Sequence, residues 1–165
     1  MNTVLQGEYV TLRPAIADDV PALTVIRTKP EVVHWWGRGE AAEEVADTEC
    51  HTFVILVEER VVGAIQWHSE EEPDFRHAGM DLYLDPEVHG RGLGTDAVRT
   101  MARYLINEHG FHRLTIDPAA ANAAAIRAYS KVGFRPVGIM RQYWRDPAGV
   151  WQDGMLLDLI AAELT

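Results

Sequence analysis

Cysteine is nearly absent from the 165-residue chain, where Cys50 stands alone. One thiol can neither close an internal disulfide nor build a thiolate metal cluster, and it fits a reducing cytoplasm. Long apolar runs are missing as well: no stretch approaches the ~18 continuous apolar residues of a membrane span. Met1 to Val10 has neither the basic segment nor the apolar run of a secretion signal. Basic charge is scarce, with 15 Lys and Arg against 25 Asp and Glu, a formal net charge of -10 and a pI near 5.1. Nucleic acid and anionic membranes bind clustered cations, so this balance argues against both as partners. It favours a cationic small molecule, although acidity also serves solubility alone. There is no internal repeat, linker or low-complexity tract. A soluble cytoplasmic protein of one domain over residues 1–165 is therefore expected, since domains run to ~100–200 residues. Monomer and homodimer both stay open.

What is present is ordinary globular composition, 47% hydrophobic and 24% charged. Glu8 to Arg13 alternates as a strand, and Asp18 and Asp19 open a helix to about Thr28, before Pro30. Glu31 to Trp36 reads as a short helix stopped by Gly37, and the acidic stretch Glu40 to Glu49 has room for another turn. Thr52 to Val57 and Val61 to His68 form a hairpin about Glu59-Arg60. After a polar loop, Met80 to Asp85 places Met80, Leu82 and Leu84 on one face and Asp81, Tyr83 and Asp85 on the other. Gly94 to His109 has helical spacing and stops at Gly110. Arg113 to Ile116 is a strand, Asn122 to Val132 a helix, and Phe134 to Arg141 and Val150 to Leu159 are final strands. This order indicates an α/β or α+β sandwich.

Between the strand ending at Asp85-Pro86 and the long helix lies His89-Gly90-Arg91-Gly92-Leu93-Gly94-Thr95. Three alternating glycines let backbone N–H groups converge, and the helix start adds partial positive charge. Such a turn suits a pyrophosphate, with Arg91 adding an outer contact, and a plain turn is the competing reading. The spacing is G-x-G-x-G, not G-x-G-x-x-G, and no Lys-Ser/Thr pair follows; neither a dinucleotide fingerprint nor a triphosphate loop fits.

At these residues the chain resembles the GNAT acetyltransferases, whose signature Q/R-x-x-G-x-G/A joins the fourth strand to the third helix. Gly92 and Gly94 match it, while His89 stands where Gln or Arg is usual. A second stretch, Asn122, Ala125, Tyr129, Gly133 and Phe134, matches the family pattern too, and the resemblance extends over essentially the whole chain. It implies a central mixed, mostly antiparallel sheet of about six to seven strands flanked by about four helices and splayed at the fourth strand. It also implies acetyl-coenzyme A as cofactor and direct transfer to an amine. On that resemblance Leu82, Tyr83 and Leu84 meet the cofactor arm by their backbone. His89, Gly90, Arg91, Gly92, Leu93, Gly94 and Thr95 hold its pyrophosphate. Asn122 holds the arm or caps the following helix, and Tyr129 protonates the leaving sulfur unless it is a core tyrosine.

Within the family the chain resembles the aminoglycoside 6′-N-acetyltransferases at three places: Trp35-Trp36-Gly37, Gly79-Met80-Asp81 and Asp117-Pro118. This implies a cationic aminoglycoside acceptor, Asp81 as general base, and Trp35, Trp36, Asp117 and Asp153 toward the substrate. An alkylammonium must lose a proton before it attacks, so a carboxylate at Asp81 makes chemical sense. Glu40, Glu70, Glu71, Glu72, Asp74 and Asp146 are further acids near the expected cleft. The Arg141 to Gly149 loop is longer than its counterpart in those drug-modifying enzymes. The alternatives are acetylation of protein N-termini, whose enzymes share Arg13-Pro14, or of polyamines, and a non-catalytic acyl-CoA sensor. His34, His51, His68, His77, His109 and His112 form no ligand pattern, and no metal is expected.

Overall fold

The computed structural model describes residues 3–165; Met1 and Asn2, the head of the stretch examined for a secretion signal, lie outside them. In chain order the strands are β1 Leu5–Gln6, β2 Thr11–Pro14, β3 His51–Val57, β4 Arg60–Glu70, β5 His77–Leu84, β6 Arg113–Ile116, β7 Arg135–Arg145 and β8 Trp151–Ile160. The helices are α1 Val20–Arg27, α2 Pro30–Trp36, α3 Ala41–Ala46, α4 Leu93–Asn107 and α5 Ala123–Ser130. All eight strands join one sheet in the order β1-β2-β3-β4-β5-β6-β8-β7. Only β5 and β6 run parallel.

Strand alternation divides the core between the two faces. On one, α4 lays Val98, Met101 and Leu105 over Leu12, Ile55, Ile65, Met80 and Leu114. On the other, Leu23, Ile26 and Val32 of α1 and α2 cover Val54, Ala64 and Tyr83. Two turns depend on their backbone. The β3–β4 turn carries Glu58 and Glu59 at φ 49° and 67°, the left-handed pair of a tight hairpin, one residue earlier than Glu59-Arg60. At Gly63 a Cβ would stand 2.1 Å from the Tyr83 carbonyl oxygen, so only glycine lets β4 approach β5 this closely.

The sheet has one strand more than the six to seven expected because the two-residue β1 is too short to show alternation. The fifth helix is the acidic turn, α3. Residues 8–10 do not continue β2: the Asp96 carboxylate of α4 accepts the N–H groups of Glu8, Tyr9 and Val10 at 2.9, 2.7 and 2.9 Å. The last hairpin also departs from expectation. β7 runs on to Arg145 after an irregularity between Met140 and Trp144. There Gln142 has φ 49° and donates its N–H to Asp153.

One feature of the topology makes the site. β5 and β6 pair only from Ala78–Leu114 to Met80–Ile116. Beyond that point β5 continues to Leu84, while the chain after Ile116 is drawn onto β8. Met155 donates to the Pro118 carbonyl, Ala120 donates to the Asp153 carbonyl, and Ala119 bridges Gly154. The strands diverge and leave a cleft between them.

Candidate active site

The cleft holds about 760 Å³ and runs from the divergence of β5 and β6 to the start of α4. It gathers most of the residues that sequence singled out. Asp81, Leu82, Tyr83 and Leu84 line it from β5, His89, Gly90, Gly92, Leu93, Gly94 and Thr95 from the glycine loop, and Asn122 and Tyr129 from α5. Trp35, Trp36 and Asp117 line its other end. Arg91 is exposed and stands outside the lining of the cleft, beside the loop. Asp153 lines a neighbouring cleft, where its carboxylate accepts from Gln142.

At the α4 end, Gly90 and Gly92 have φ 80° and 76°, and a Cβ on either would meet nothing within 4 Å. The loop is thus an open cradle shaped by left-handed backbone. Gly92 is also the N-cap of α4 and supplies no side-chain oxygen. The first-turn N–H groups of the helix therefore keep their donors and partial positive charge for an anion. The one acid in that turn, Asp96, is committed to residues 8–10. Thr95 donates its hydroxyl to the Ala128 carbonyl and ties α5 to this end. Arg127 of α5 and Lys131, the residue that caps its end, line the cleft as well. Sequence reading passed over both; their i, i+4 spacing beside Tyr129 was the available signal. The donor set, an uncapped helix start with two flanking cations, fits a pyrophosphate.

In the middle, the register decides which backbone groups of β5 are open. Asp85 donates to the Val62 carbonyl, so Asp85, Tyr83 and Asp81 turn their amides and carbonyls toward β4. The alternate residues, Leu82 and Leu84, turn theirs to the side that β6 has left. Tyr83 is thereby corrected as an arm-binding residue: its backbone serves β4 and its ring is buried against α1 and α2. The Leu82 carbonyl is taken by the Trp36 indole N–H at 2.9 Å, which leaves the N–H groups as the open donors of this edge. Trp36 is itself braced edge-on against Tyr83 at 4.8 Å, with the buried Arg27 guanidinium over its ring at 5.1 Å.

At the far end, Asp81 receives no hydrogen bond from a protein donor among the described residues. Burial, and then the negative charge of Asp117, push its pKa from the ordinary 3.8 up to about 8. Tyr129 is 8% exposed. Burial first, then the charges of Asp81 and Asp117, hold its phenol above the ordinary 10, so it keeps its proton. Asp117 accepts a hydrogen bond from the Tyr143 hydroxyl, a partner contributed by β7 that the sequence reading did not include. Asn122 proves to be the cap of α5, accepting the Ala125 N–H at 3.2 Å. The site thus sets a carboxyl with a raised pKa and a protonated phenol in one cleft. No ion pair reaches Asp81 or Asp117 among the described residues, nor does any His, Cys, Asp and Glu group there suit a metal ion.

Residues 10–135 match the family model described as the acetyltransferase (GNAT) domain. The aminoglycoside N(6')-acetyltransferase type 1 of Klebsiella pneumoniae is 31% identical over 156 residues, covering 80% of this chain and 77% of that protein. The solved structure of Mycobacterium smegmatis RimJ in complex with CoA-disulfide has a TM-score of 0.84 at 21% identity, covering 99% of this chain and 88% of that one. The ribosomal-protein-S5-alanine acetyltransferase of Vibrio fischeri gives a TM-score of 0.83 at 16% identity, covering 99% of each chain. At such identities the two structures speak to the fold.

Proposed function

This chain belongs to the GNAT family of N-acetyltransferases, and from that membership we propose that its acceptor is the 6′-amine of an aminoglycoside. The observation that carries the proposal is the far end of the cleft. There Asp81 and Asp117 face the space without a cationic partner among the described residues, beside Trp35 and Trp36. Two carboxyl groups with no cation beside them, next to indole rings, suit the ammonium groups of a polycationic sugar, and a bound ammonium favours the ionised form of Asp81. The identity shared with the Klebsiella pneumoniae aminoglycoside enzyme supports the same reading.

Acetyl-coenzyme A, whose pyrophosphate Gly90, Gly92 and the first-turn N–H groups of α4 would hold, would supply the acetyl thioester. The chain's own groups do the rest. Asp81 accepts a proton from the ammonium, directly or through a water, and frees the amine lone pair. The open N–H donors at Leu82 and Leu84 stabilise negative charge growing on the carbonyl oxygen. Tyr129 donates its proton on the leaving-group side, so the pair works in opposite senses.

The cradle is tested by Gly92→Val. A β-branched residue is strained at φ 76°, so valine there would disturb the left-handed turn that shapes the cradle. Affinity for acetyl-coenzyme A, measured by calorimetry, should fall by at least about tenfold, a loss of ~1.4 kcal/mol. Unaltered affinity would remove the pyrophosphate from this loop.

The acceptor is tested by thiol release from acetyl-coenzyme A with kanamycin, tobramycin, N-terminal peptides and polyamines. Release with the drugs alone, with acetate on the 6′-amine, is the expected result. Release with peptides alone would shift the acceptor to protein N-termini, as the name of the Vibrio fischeri neighbour suggests. The Arg13-Pro14 pair shared with such enzymes does not favour that outcome. Arg13 forms a two-pronged pair with Asp19 at 2.8 and 2.9 Å and does not line the cleft. Cofactor binding without release to any amine would favour the sensor.

A further inference from the structure

Arg27, the last residue of α1, buries a positive charge at 4% exposure, yet it does not line the main cleft. Its guanidinium donates to the Glu44 carboxylate of α3 at 2.9 Å and to the Gly37 carbonyl at 2.7 Å. Its third nitrogen lies against Gly39, where a Cβ would stand 2.5 Å away. The same group lies over the Trp36 ring at 5.1 Å and the Tyr83 ring at 5.8 Å. The ends of α1 and α2, the helix α3 and the strand β5 therefore meet on one side chain.

Stability alone explains this cluster poorly. A buried ion pair gives up hydration that its own attraction only roughly offsets. Here the second Glu44 carboxylate oxygen and the Tyr83 hydroxyl are also buried without a hydrogen-bond partner among the described residues, a further cost. An apolar filling of the same volume would hold these elements together as well. It could not fix the Gly37 carbonyl and the Trp36 ring in one orientation, as a planar, forked cation does. Gly37 caps α2 at a positive φ of 74°, directly after Trp36. The start of α2 is tied separately, by Lys29 to Asp85 at 2.8 Å. Arg27 thus governs the Trp36 end of the helix.

That end matters because of the contact it makes. The Trp36 indole N–H reaches the Leu82 carbonyl at 2.9 Å, on the side of β5 that β6 has left. In an unbroken sheet a donor from β6 would fill that place. We infer that Arg27 is a positioning residue for acetyl transfer: it seats Trp36 on the Leu82 carbonyl in place of the departed strand, and so steadies the β5 edge whose N–H groups face the thioester oxygen. An edge unpaired on one side can twist, and a displaced donor loses much of its hold on a developing oxyanion. The role rests on transfer in the main cleft and is independent of which amine is the acceptor.

Arg27→Met combined with Glu44→Gln removes both buried charges, so the double variant should melt close to the wild type, whereas Arg27→Met alone strands Glu44 and should melt lower. In the double variant, deuterium exchange of the Trp36 indole N–H should quicken by at least about tenfold, read by NMR and assigned by its absence in Trp36→Phe. The kcat for thiol release should fall about tenfold while KM for acetyl-coenzyme A holds, with whichever of kanamycin, an N-terminal peptide or spermine the wild type accepts. Arg27→Lys keeps a charge beside Glu44 but loses the planar fork, and it should show both effects even where the double variant folds poorly. In Trp36→Phe, which already lacks the N–H, the double change should lower kcat by less than about twofold more. Unchanged exchange, or kcat within about twofold of wild type, would overturn the role. So would an about tenfold loss that persists in the Trp36→Phe background, because Arg27 would then act by another route. Thiol release with none of the amines would overturn transfer itself and the role with it.

Discussion

Asp81→Asn should lower kcat/KM for a cationic acceptor by about a thousandfold at pH 8, within the range for loss of a positioned general base, and should at the same time raise the melting temperature. Both effects come from the same burial. The Asp81 carboxyl is held at about 8, mainly by burial and further by Asp117, and has no protein donor to stabilise its charge among the described residues. Wild-type kcat/KM should therefore climb with pH through about 8 as Asp81 ionises, and the variant should lack that limb. The stability effect has the opposite pH sense. A carboxyl whose folded pKa lies above its unfolded 3.8 retains a proton in the folded state that the unfolded chain releases. Stability from this group is fully present below about pH 4 and drains away as pH rises to about 8. Asparagine never acquires the charge, so the variant's melting advantage should be largest at pH 8 and above and should close toward pH 4. Calorimetric melting at the two ends of that window checks it. A variant that melts lower at pH 8 would mean that a charged Asp81 has a stabilising partner, and one with unchanged turnover would remove Asp81 as the base.

What could be read from sequence was local in the chain. The glycine loop, the start of α4 and the Asn122-to-Phe134 stretch are contiguous segments that carry the family resemblance, and through it Gly92, Gly94 and Tyr129 were expected at the site; all three line the cleft. The acceptor end was legible in part, because Asp81, Trp36 and Asp117 sit in short recognisable segments. The rest depended on register and on long-range packing. That Tyr83 turns its backbone to β4, while Leu82 and Leu84 face the gap, follows from the pairing of Asp85 with Val62, which no alternation in β5 alone reveals. Trp36 lies in the wall as expected, but its N–H goes to the Leu82 carbonyl 46 residues away. The greatest shortfall was the last hairpin. Read as a loop from Arg141 to Gly149, it concealed the continuation of β7 that brings Tyr143 to Asp117 and Trp144 to both clefts. The left-handed Gln142 and its bond to Asp153 make that continuation possible, and neither residue type signals such a turn.

Tyr129→Phe should lower kcat by about a hundredfold, at the lower end of general acid–base contributions, with little change in KM for either substrate. The phenol is positioned for a role confined to the transition state. Its ring is fixed in the core between α5 and the sheet, while its hydroxyl makes no hydrogen bond to another group among the described residues. Phenylalanine keeps the ring and removes only an oxygen without a protein partner, so the melting temperature should hold or rise slightly. Kinetics and folding are thereby separated, which truncation to alanine would not achieve. The pH dependence separates Tyr129 from Asp81. Because burial and the two carboxylates keep the phenol above its ordinary 10, it stays protonated throughout the working range. The loss in Tyr129→Phe should be the same at about pH 6 as at about pH 9, since the residue's state does not change between them. The loss in Asp81→Asn should shrink toward about pH 6, where the wild-type carboxyl is itself protonated and inactive as a base. A Tyr129→Phe enzyme with kcat within about twofold of wild type would make this tyrosine a core residue and move the leaving-group proton to solvent. A loss confined to high pH would instead mean that the phenol ionises in turnover and acts as an acceptor of protons.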